Sequence, residues 1–420
     1  MKLIFFTIII GFVCFQTNAQ SSVQISIEEC YHLARQNYPL VKQGELISKA
    51  SAHSIENAAK GYLPQFNVSG QASYQSEVTR IPLQIPGMNI PELSKDQYRL
   101  SAEGTQVLFD GGVIKQQKQA ATVNAEVESQ KLEVELYKLR DRINQLFFGI
   151  LLIDAQLKQN ELLKKDLQLG VDKAKATVAN GTGFKSNLNM LKAELLKAVQ
   201  RSTELRFTRR GYIDVLALFT HKPLTEDVVL LKPAIQLVSD EIRRPELGLY
   251  DSQRKSVAVK EQAIAVRNLP KFNLFLQSGI GRPALNMLNN ALEPFAIGGI
   301  RMSWSLSGLY TRKNEKSISG INRKEIDLQQ ENFLLNTKFM LKQQEAEIDK
   351  QNELMRSDEE IIALRTSVKE TAAAQLENGV IHTSDYLREV NAEDQARQSK
   401  LMHEIQLLMA QYNKQTTTGN

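Results

Sequence analysis

Apolar and polar residues alternate over four short stretches of this chain, as they do in β-strands whose two faces differ. The clearest stretch is 65–78, where Phe66 and Val68 fall on one face and Gln65 and Ser69 fall on the other. Weaker alternation predicts strands at 98–108, 272–280 and 296–306. Such strands suit a soluble sheet over a core and also a barrel wall between lipid and a wet lumen, and the alternation alone is compatible with both.

After each pair of strands, apolar residues recur every three or four positions, which predicts long helices. Two helical hairpins are expected, over residues 111–219 and 309–412. The first has the spacing of a coiled coil, carried by Leu132, Leu136, Leu139, Ile143, Leu146, Ile150, Ile153 and Leu157. One uninterrupted helix from Gly111 to Val178 would be on the order of 100 Å long.

The chain passes from the second strand to the first long helix at residues 109–112. Asp110 suits the N-cap, because its carboxylate can accept hydrogen bonds from the free amide groups of the first helical turn. Gly111 and Gly112 give the backbone freedom to turn. A weaker version of this junction, Leu306-Ser307-Gly308, follows the fourth strand and precedes the other long helical stretch.

The order of predicted elements occurs twice, which indicates an internal repeat. Asn378-Gly379 matches Asn180-Gly181 at an offset of 198 (379 minus 181), and Gly181 and Gly379 are each predicted to end a long helix. The predicted division is a signal peptide at 1–19, a first repeat at 20–222, a connector or equatorial segment at 223–245 and a second repeat at 246–420.

Composition favours long helices with solvated faces over a compact enzyme or a nucleic-acid binder. All 11 prolines lie between Pro39 and Pro294, and 92–222 and 295–420 contain none, which favours unusually long helices over many short elements. The 52 Lys and Arg residues are interspersed with 47 Asp and Glu residues along the helices. This mixture predicts no nucleic-acid partner, because proteins that bind nucleic acid concentrate positive charge in one surface patch.

The first residues have the pattern of a secretory signal: Lys2, an apolar run from Leu3 to Phe15, and small or polar residues up to Ala19. The residues before Cys14 match a lipoprotein signal poorly, so we expect no lipid anchor. After Ala19 no run approaches the ~20 apolar residues of a membrane helix. If this exported protein enters a membrane, it must do so as a β-barrel.

No pattern of catalytic chemistry is present. The 5 histidines have no metal-ligand spacing, and neither a phosphate-binding loop nor the Gly-x-Ser-x-Gly or His-Glu-x-x-His pattern occurs. We therefore expect no enzyme activity, no metal and no cofactor.

These features together resemble the TolC-like outer membrane efflux protein family along essentially the whole mature chain. The resemblance is carried by residues 25–39, by Tyr62-Leu63-Pro64, by 107–112, and by the two Asn-Gly turns followed by Ser186-Asn187-Leu188 and Ser384-Asp385-Tyr386. It implies a mostly α-helical fold with a membrane β-barrel portion: a homotrimer in which four strands per chain make one twelve-stranded barrel, continued into the periplasm by a coiled-coil α-helical tunnel. It also implies a passive conduit in the outer membrane of a Gram-negative bacterium, in contact with lipid and joined by a periplasmic adaptor to an inner-membrane pump or ABC transporter.

The resemblance further implies where the pore is narrow. In the family, the helical turns after the two glycines form a closed periplasmic mouth constricted by rings of aspartate. The matching positions, six residues after each glycine, are Asn187 and Asp385, and Arg388 follows nine residues after Gly379. A ring of Asp385 carboxylates would attract cations, whereas Asn187 and Arg388 make this mouth less acidic than the family pattern.

Two other functions fit part of the sequence. A periplasmic coiled-coil adaptor also has a signal peptide and a long helical hairpin, but it has one hairpin flanked by small β-domains, whereas this chain has two hairpins that each follow a pair of strands. A secreted structural coiled coil leaves the four alternating stretches unexplained. The cargo, small molecule or polypeptide, is not named by the sequence.

Overall fold

A computed structural model describes residues 24–79, 93–234 and 239–420 of the chain. The predicted signal peptide at 1–19, with Cys14, lies outside the described residues, as does part of the predicted connector, at 235–238. Of the helices in the described ranges, none has an apolar stretch long enough to cross a bilayer.

Two short strands that the sequence did not predict, β1 and β4, accompany the longer strands and helices in the described residues. In chain order the elements are β1 (Gln24–Ile25), α1 (Ile27–Asn37), α2 (Val41–Ala59), β2 (Gln65–Tyr74), β3 (Asp96–Phe109), α3 (Val113–Tyr137), α4 (Leu139–Ala179), α5 (Lys185–Thr220), β4 (Val229–Leu230), α6 (Pro245–Arg267), β5 (Lys271–Arg282), β6 (Glu293–Ser303), α7 (Gly308–Glu377) and α8 (Thr383–Thr418).

The chain divides into two compact units. Of the described residues, unit 1 comprises those within Met1–Asn37, Arg140–Leu237 and Glu345–Asn413, and unit 2 comprises those within Tyr38–Leu139, Val238–Gln344 and Lys414–Asn420.

Unit 2 contains the four-stranded sheet, in the order β2-β3-β5-β6, with every neighbouring pair antiparallel. The strands of the two halves of the chain thus meet at β3 and β5, and β2 and β6 are the edges. A bulge interrupts the β3–β5 pairing between Val107 and Phe109, immediately before the strand ends. In the same unit, α3 packs against α2 and α6.

Unit 1 is built from helices, with one short parallel pairing of β1 with β4. Its core includes Phe147 and Phe148 on α4, and the Phe148 ring lies 5.3 Å from the ring of Tyr412 on α8. A second apolar cluster joins the two helical hairpins near their turns, through Leu167, Val171, Leu188, Leu191, Ala198, Leu387 and Val390.

The single long helix predicted after Gly111 is interrupted at one residue: α3 ends at Tyr137 and α4 begins at Leu139, and Lys138 between them keeps right-handed helical angles, with φ −61° and ψ −17°. The sequence has neither proline nor glycine here, so it contains no local cause for a break. The structure shows what holds the residue before the break: the Tyr137 hydroxyl donates to the carbonyl oxygen of Thr416 at 2.7 Å, and the Arg244 guanidinium lies 4.8 Å from the Tyr137 ring centre.

Two strands are shorter than the alternation predicts. β2 ends at Tyr74 and not at residue 78, and β6 ends at Ser303 and not at residue 306. After β6 the indole Nε1 of Trp304 donates to the carbonyl oxygen of Asn268 at 3.0 Å, so this side chain is held by the end of α6.

Candidate functional site

The two faces of the sheet differ in polarity, and the apolar face is exposed. On β2 the side chains of Phe66 and Val68 are 82% and 72% exposed, and on β5 and β6 Leu276 and Ile300 are 61% and 67% exposed. The strand register places these residues on one face, since Phe66 is opposite Gly104, Gly104 is opposite Leu276, and Leu274 is opposite Ile300. A contiguous exposed apolar face of this kind marks a surface that meets lipid or another protein.

The opposite face is mostly polar and internally hydrogen-bonded, and it also carries Phe275, Phe295 and Ile297. Ser69 and Ser101 share a hydrogen bond of 3.1 Å, and Gln277 Nε2 donates to Ser101 Oγ at 3.1 Å. Farther along the strands, Arg301 forms an ion pair with Glu103 at 2.7 Å. The sheet therefore has one apolar face and one face whose polar groups can be solvated by water.

At the first strand-to-helix junction the N-cap of α3 is Gly112 and not Asp110 as predicted, but the Asp110 carboxylate still binds amide groups at the start of the helix. Asp110 accepts hydrogen bonds from the backbone amides of Gly112, at 2.8 Å, and Ile114, at 2.6 Å. Gly111 and Gly112 have φ angles of 72° and 89°, in the left-handed region that favours glycine. The strand thus becomes a helix within three residues, with its first free amides satisfied.

The second junction uses its glycine differently. Gly308 is the first residue of α7, and a Cβ atom there would clash with the Asn268 side chain. At the first junction, a Cβ on Gly111 would lie 2.9 Å from the Cβ of Leu269. Both junctions therefore pack closely against the residues that follow α6.

Sequence reasoning missed this role of Asn268 and Leu269. Asn268 is only 7% exposed, and its Nδ2 donates to the carbonyl oxygen of Ile264 at 3.0 Å. The available signal was that Asn268-Leu269-Pro270 resembles Tyr62-Leu63-Pro64 in sequence. What it could not show is that both junctions pack here.

The two helical turns have the same hydrogen bonds at the same offset. Gly181 and Gly379 have φ angles of 74° and 70°. The amide of Thr182 donates to the carbonyl oxygen of Thr177 at 3.0 Å, and the amide of Val380 donates to that of Gln375 at 2.8 Å. Each turn is thus a Schellman motif, which needs a residue with positive φ after the helix end.

The predicted constriction residues lie just beyond these turns, at the starts of α5 and α8. Asp385 is in the first turn of α8, where its Oδ2 accepts from the backbone amide of His382 at 3.2 Å. The guanidinium of Arg388 is 3.9 Å from Asp385 Oδ1, and Arg388 Nε donates to Glu389 at 3.2 Å. Asn187 is half-buried at the corresponding place on α5. In one chain, Asp385 therefore caps a helix and Arg388 offsets part of its charge.

A network of charges that the sequence analysis did not predict joins α4, α7 and α8 near the same turns. Lys369 Nζ is 3.0 Å from Asp166 on α4 and 3.0 Å from Glu393 on α8. Glu393 is 5% exposed and also accepts from Arg397 Nε at 2.6 Å. Apart from the Glu393–Arg397 spacing, these residues are far apart in sequence, so no local pattern could have found them.

The surroundings shift the pKa values of this network. Burial disfavours the charge on Lys369, but its hydrogen bonds with Asp166 and Glu393 outweigh burial and raise its pKa. Burial by itself would raise the pKa of Glu393, but its hydrogen bonds with Arg397 and Lys369 outweigh burial and lower this pKa. In contrast, burial raises the pKa of Asp394, in spite of a hydrogen bond from Gln159.

The described residues contain no group of three or more His, Cys, Asp or Glu side chains that could hold a metal ion. Cys30, the one described cysteine, is buried with a free thiol.

Comparison with known proteins connects these features. Residues 30–220 match the family model described as outer membrane efflux protein. No curated protein matches the sequence.

Solved structures share the fold along nearly the whole chain. The outer membrane protein VceC of Vibrio cholerae superposes with a TM-score of 0.67 at 11% identity, over 94% of this chain and 96% of its own. The CmeC outer membrane channel of Campylobacter jejuni gives 0.65 at 13% identity, over 94% of this chain and 85% of its own. The open state of the MtrE outer membrane channel of Neisseria gonorrhoeae gives 0.66 at 12% identity, over 94% and 89%.

Proposed function

Because residues 30–220 match the family model described as outer membrane efflux protein, we propose that this chain is the outer membrane channel of an export system. In this proposal it is a passive conduit for small molecules or polypeptides, joined by a periplasmic adaptor to an inner-membrane pump or ABC transporter. The family match and a fold shared with outer membrane channels favour this function over the periplasmic adaptor.

The observation that carries the proposal is the exposed apolar face of the sheet. In a soluble sheet over a core, Phe66, Val68, Leu276 and Ile300 would be the covered residues, and all four are more than 60% exposed. A barrel wall reverses this arrangement, because its apolar residues face lipid and its polar residues face a wet lumen. The polar face with Ser69, Ser101 and Gln277 would then line the lumen.

A membrane barrel requires more than one chain. The sheet has four strands, with β2 and β6 as its edges, and about eight are the fewest that close around an interior filled by side chains. Three chains with four strands each would give twelve strands, and pairing of β2 with β6 of the next chain would leave no edge in the bilayer. We therefore propose a homotrimer whose helical hairpins continue the barrel as a tunnel in the periplasm.

The junctions and turns take their roles from this arrangement. Asp110 to Gly112 and Gly308 would form the boundary between barrel and tunnel in each of the two repeats, 20–222 and 246–420. The turns at Gly181 and Gly379 would form the periplasmic mouth, where Asp385, Asn187 and Arg388 would surround the pore. A passive conduit needs no catalytic group or cofactor.

The test is a matched pair of substitutions on adjacent residues of β5. Leu276→Arg places a charge on the apolar face, and Gln277→Arg places the same charge on the polar face. An arginine at the bilayer midplane costs ~2–4 kcal/mol in a membrane barrel, and the cost recurs in each chain. We expect the wild type and Gln277→Arg to fractionate with the outer membrane and to run as trimers in mild detergent, and we expect Leu276→Arg to be lost from that fraction. Recovery of the wild type as a soluble periplasmic monomer would disprove the channel.

A further inference from the structure

The polar face of the sheet carries an arginine at the end away from the junctions. Arg99 is ten residues before Phe109, the last residue of β3, so it lies ~33 Å along the strand from the junction. The register places Gly281 of β5 opposite Arg99, and Glu293 of β6 opposite Gly281. Arg99 itself is exposed.

The side chain of Arg99 reaches across the neighbouring strand β5 to an aromatic ring on β6. It lies 4.5 Å from the ring centre of Phe295 on β6, and Phe295 is only 6% exposed. The residues of β5 between them are Gly279 and Gly281, which have no side chain to obstruct the crossing. At Gly279 a Cβ would come within clash distance of the Leu100 carbonyl oxygen, so this position requires glycine and the space above β5 stays open.

A second arginine on the same face is paired with a carboxylate, whereas Arg99 has no carboxylate partner among the residues that the structure describes. Arg301 lies 4.4 Å from the ring centre of Phe275 and pairs with Glu103 at 2.7 Å. Within the described residues, no carboxylate oxygen comes within 4.0 Å of the Arg99 guanidinium. Glu293, in the same row, has its Oε1 bonded to Asn289 Nδ2 at 2.5 Å.

The side of the guanidinium that faces away from Phe295 is therefore a planar, positively charged surface. A guanidinium binds planar π-systems by stacking and binds anionic groups by charge-assisted hydrogen bonds. A molecule that combines an aromatic ring with an anionic group would use both interactions at once.

The size of the proposed barrel brings every passing molecule near this surface. Twelve strands that are ~4.8 Å apart and tilted by ~40° give a circumference of ~75 Å and a diameter of ~24 Å between backbones. No point in the lumen is then more than ~12 Å from the wall, a distance comparable with the Debye length of ~8 Å at physiological ionic strength.

We propose that Arg99, stacked on Phe295, is a contact site in the lumen for anionic aromatic cargo, present once in each chain. This proposal rests on the proposed channel function, because it requires the polar face of the sheet to line a lumen.

The experiment is current block of the purified full-length trimer in planar lipid bilayers. The probe is naphthalene-1,5-disulfonate, and ethane-1,2-disulfonate has the same charge without the ring. We expect Arg99→Gln to weaken block by the naphthalene probe by about tenfold. Arg99→Lys keeps the charge but not the planar surface, so it should weaken block by the naphthalene probe and leave block by the ethane probe nearly unchanged.

The matched control is Arg282→Gln. Arg282 is on β5 at the same end of the sheet, opposite Tyr98 and so on the other face, and pairs with Asp96 at 3.3 Å. In Arg282→Gln, current block by both probes should equal that of the wild type.

The outcomes separate this site from the channel itself. Equal block of the wild type and Arg99→Gln, in trimers of equal conductance, would overturn the contact site and leave the channel intact, as would an equal loss of block in Arg282→Gln. A wild-type protein that forms no conducting trimer would overturn the channel and the contact site together.

Discussion

The charge network around Lys369 gives a quantitative prediction about how the two helical hairpins are held together. In Lys369→Met the side chain keeps its length and helix propensity but loses its charge. It therefore removes the bonds of 3.0 Å to Asp166 and 3.0 Å to Glu393.

The two bonds contribute different amounts to the free energy of unfolding, because one is exposed to solvent and the other is buried. Asp166 is 43% exposed, so its bond to Lys369 contributes roughly 0.5 kcal/mol. The side chain of Glu393 is 6% exposed, and a buried hydrogen bond to a charged group is worth about 1.5–3 kcal/mol. Glu393 keeps Arg397 at 2.6 Å and Thr366 at 3.1 Å after the substitution, so the lower part of that range applies. The expected loss is about 2 kcal/mol.

The assay is hydrogen–deuterium exchange with mass spectrometry of the intact protein in detergent. A loss of about 2 kcal/mol in local stability corresponds to roughly 30-fold faster exchange of amides that open locally. The effect should appear in peptides from α4 around residue 166 and from α8 around residue 393.

The control is Lys350→Met on the same helix. Lys350 pairs with Glu347 at 2.6 Å, but the two side chains are 55% and 40% exposed, so the pair contributes little. Adding Glu393→Gln to Lys369→Met should restore part of the protection, because it removes the buried charge that has lost its partner. If exchange in Lys369→Met equals that in Lys350→Met, the network does not stabilise the contact between the hairpins.

Three further predictions concern single residues. Asp110→Ala should lower the local stability of the start of α3 by about 1 kcal/mol and speed amide exchange of residues 112–115 about fivefold. Asp110→Asn should have a smaller effect. Equal exchange in Asp110→Ala and the wild type would show that the cap is dispensable. Asp385→Ala should weaken cation selectivity or cation block in bilayer recordings, and Asp385→Asn, which can keep the hydrogen bond to His382 but has no charge, should do the same; selectivity retained in Asp385→Asn would limit Asp385 to capping. Burial raises the pKa of the Cys30 thiol to about 12, so at pH 8 a maleimide should label the native thiol at least about 100-fold more slowly than the unfolded one, whose pKa is ordinary, and equal rates would contradict the burial. The same shift means that the stability contributed by a protonated Cys30 is complete below pH ~8.5 and falls as pH rises toward 12, because the unfolded thiol ionises first.

The sequence by itself predicted the types and order of the longer elements, but not β1, β4 or the interruption between α3 and α4, because the signals that it carries are local. Alternation with period two reports which side chains of a strand share a face, and it placed Phe66 and Gln65 on opposite faces. Asp110 was identifiable as a residue that binds amides at the start of α3 because its partners, Gly112 and Ile114, are within four residues. The glycines of the helical turns were identifiable because a Schellman motif needs positive φ.

What only the tertiary structure decided concerns residues that are far apart in sequence. The break before Leu139 has no local cause, and the contacts of the preceding tyrosine are with residues 244 and 416. The packing of both junctions against Asn268 and Leu269, the bridge of Lys369 to Asp166, and the stacking of Arg99 on Phe295 likewise join distant residues. Local periodicity carries no information about such pairs, because it records which face a side chain occupies and not which element that face meets.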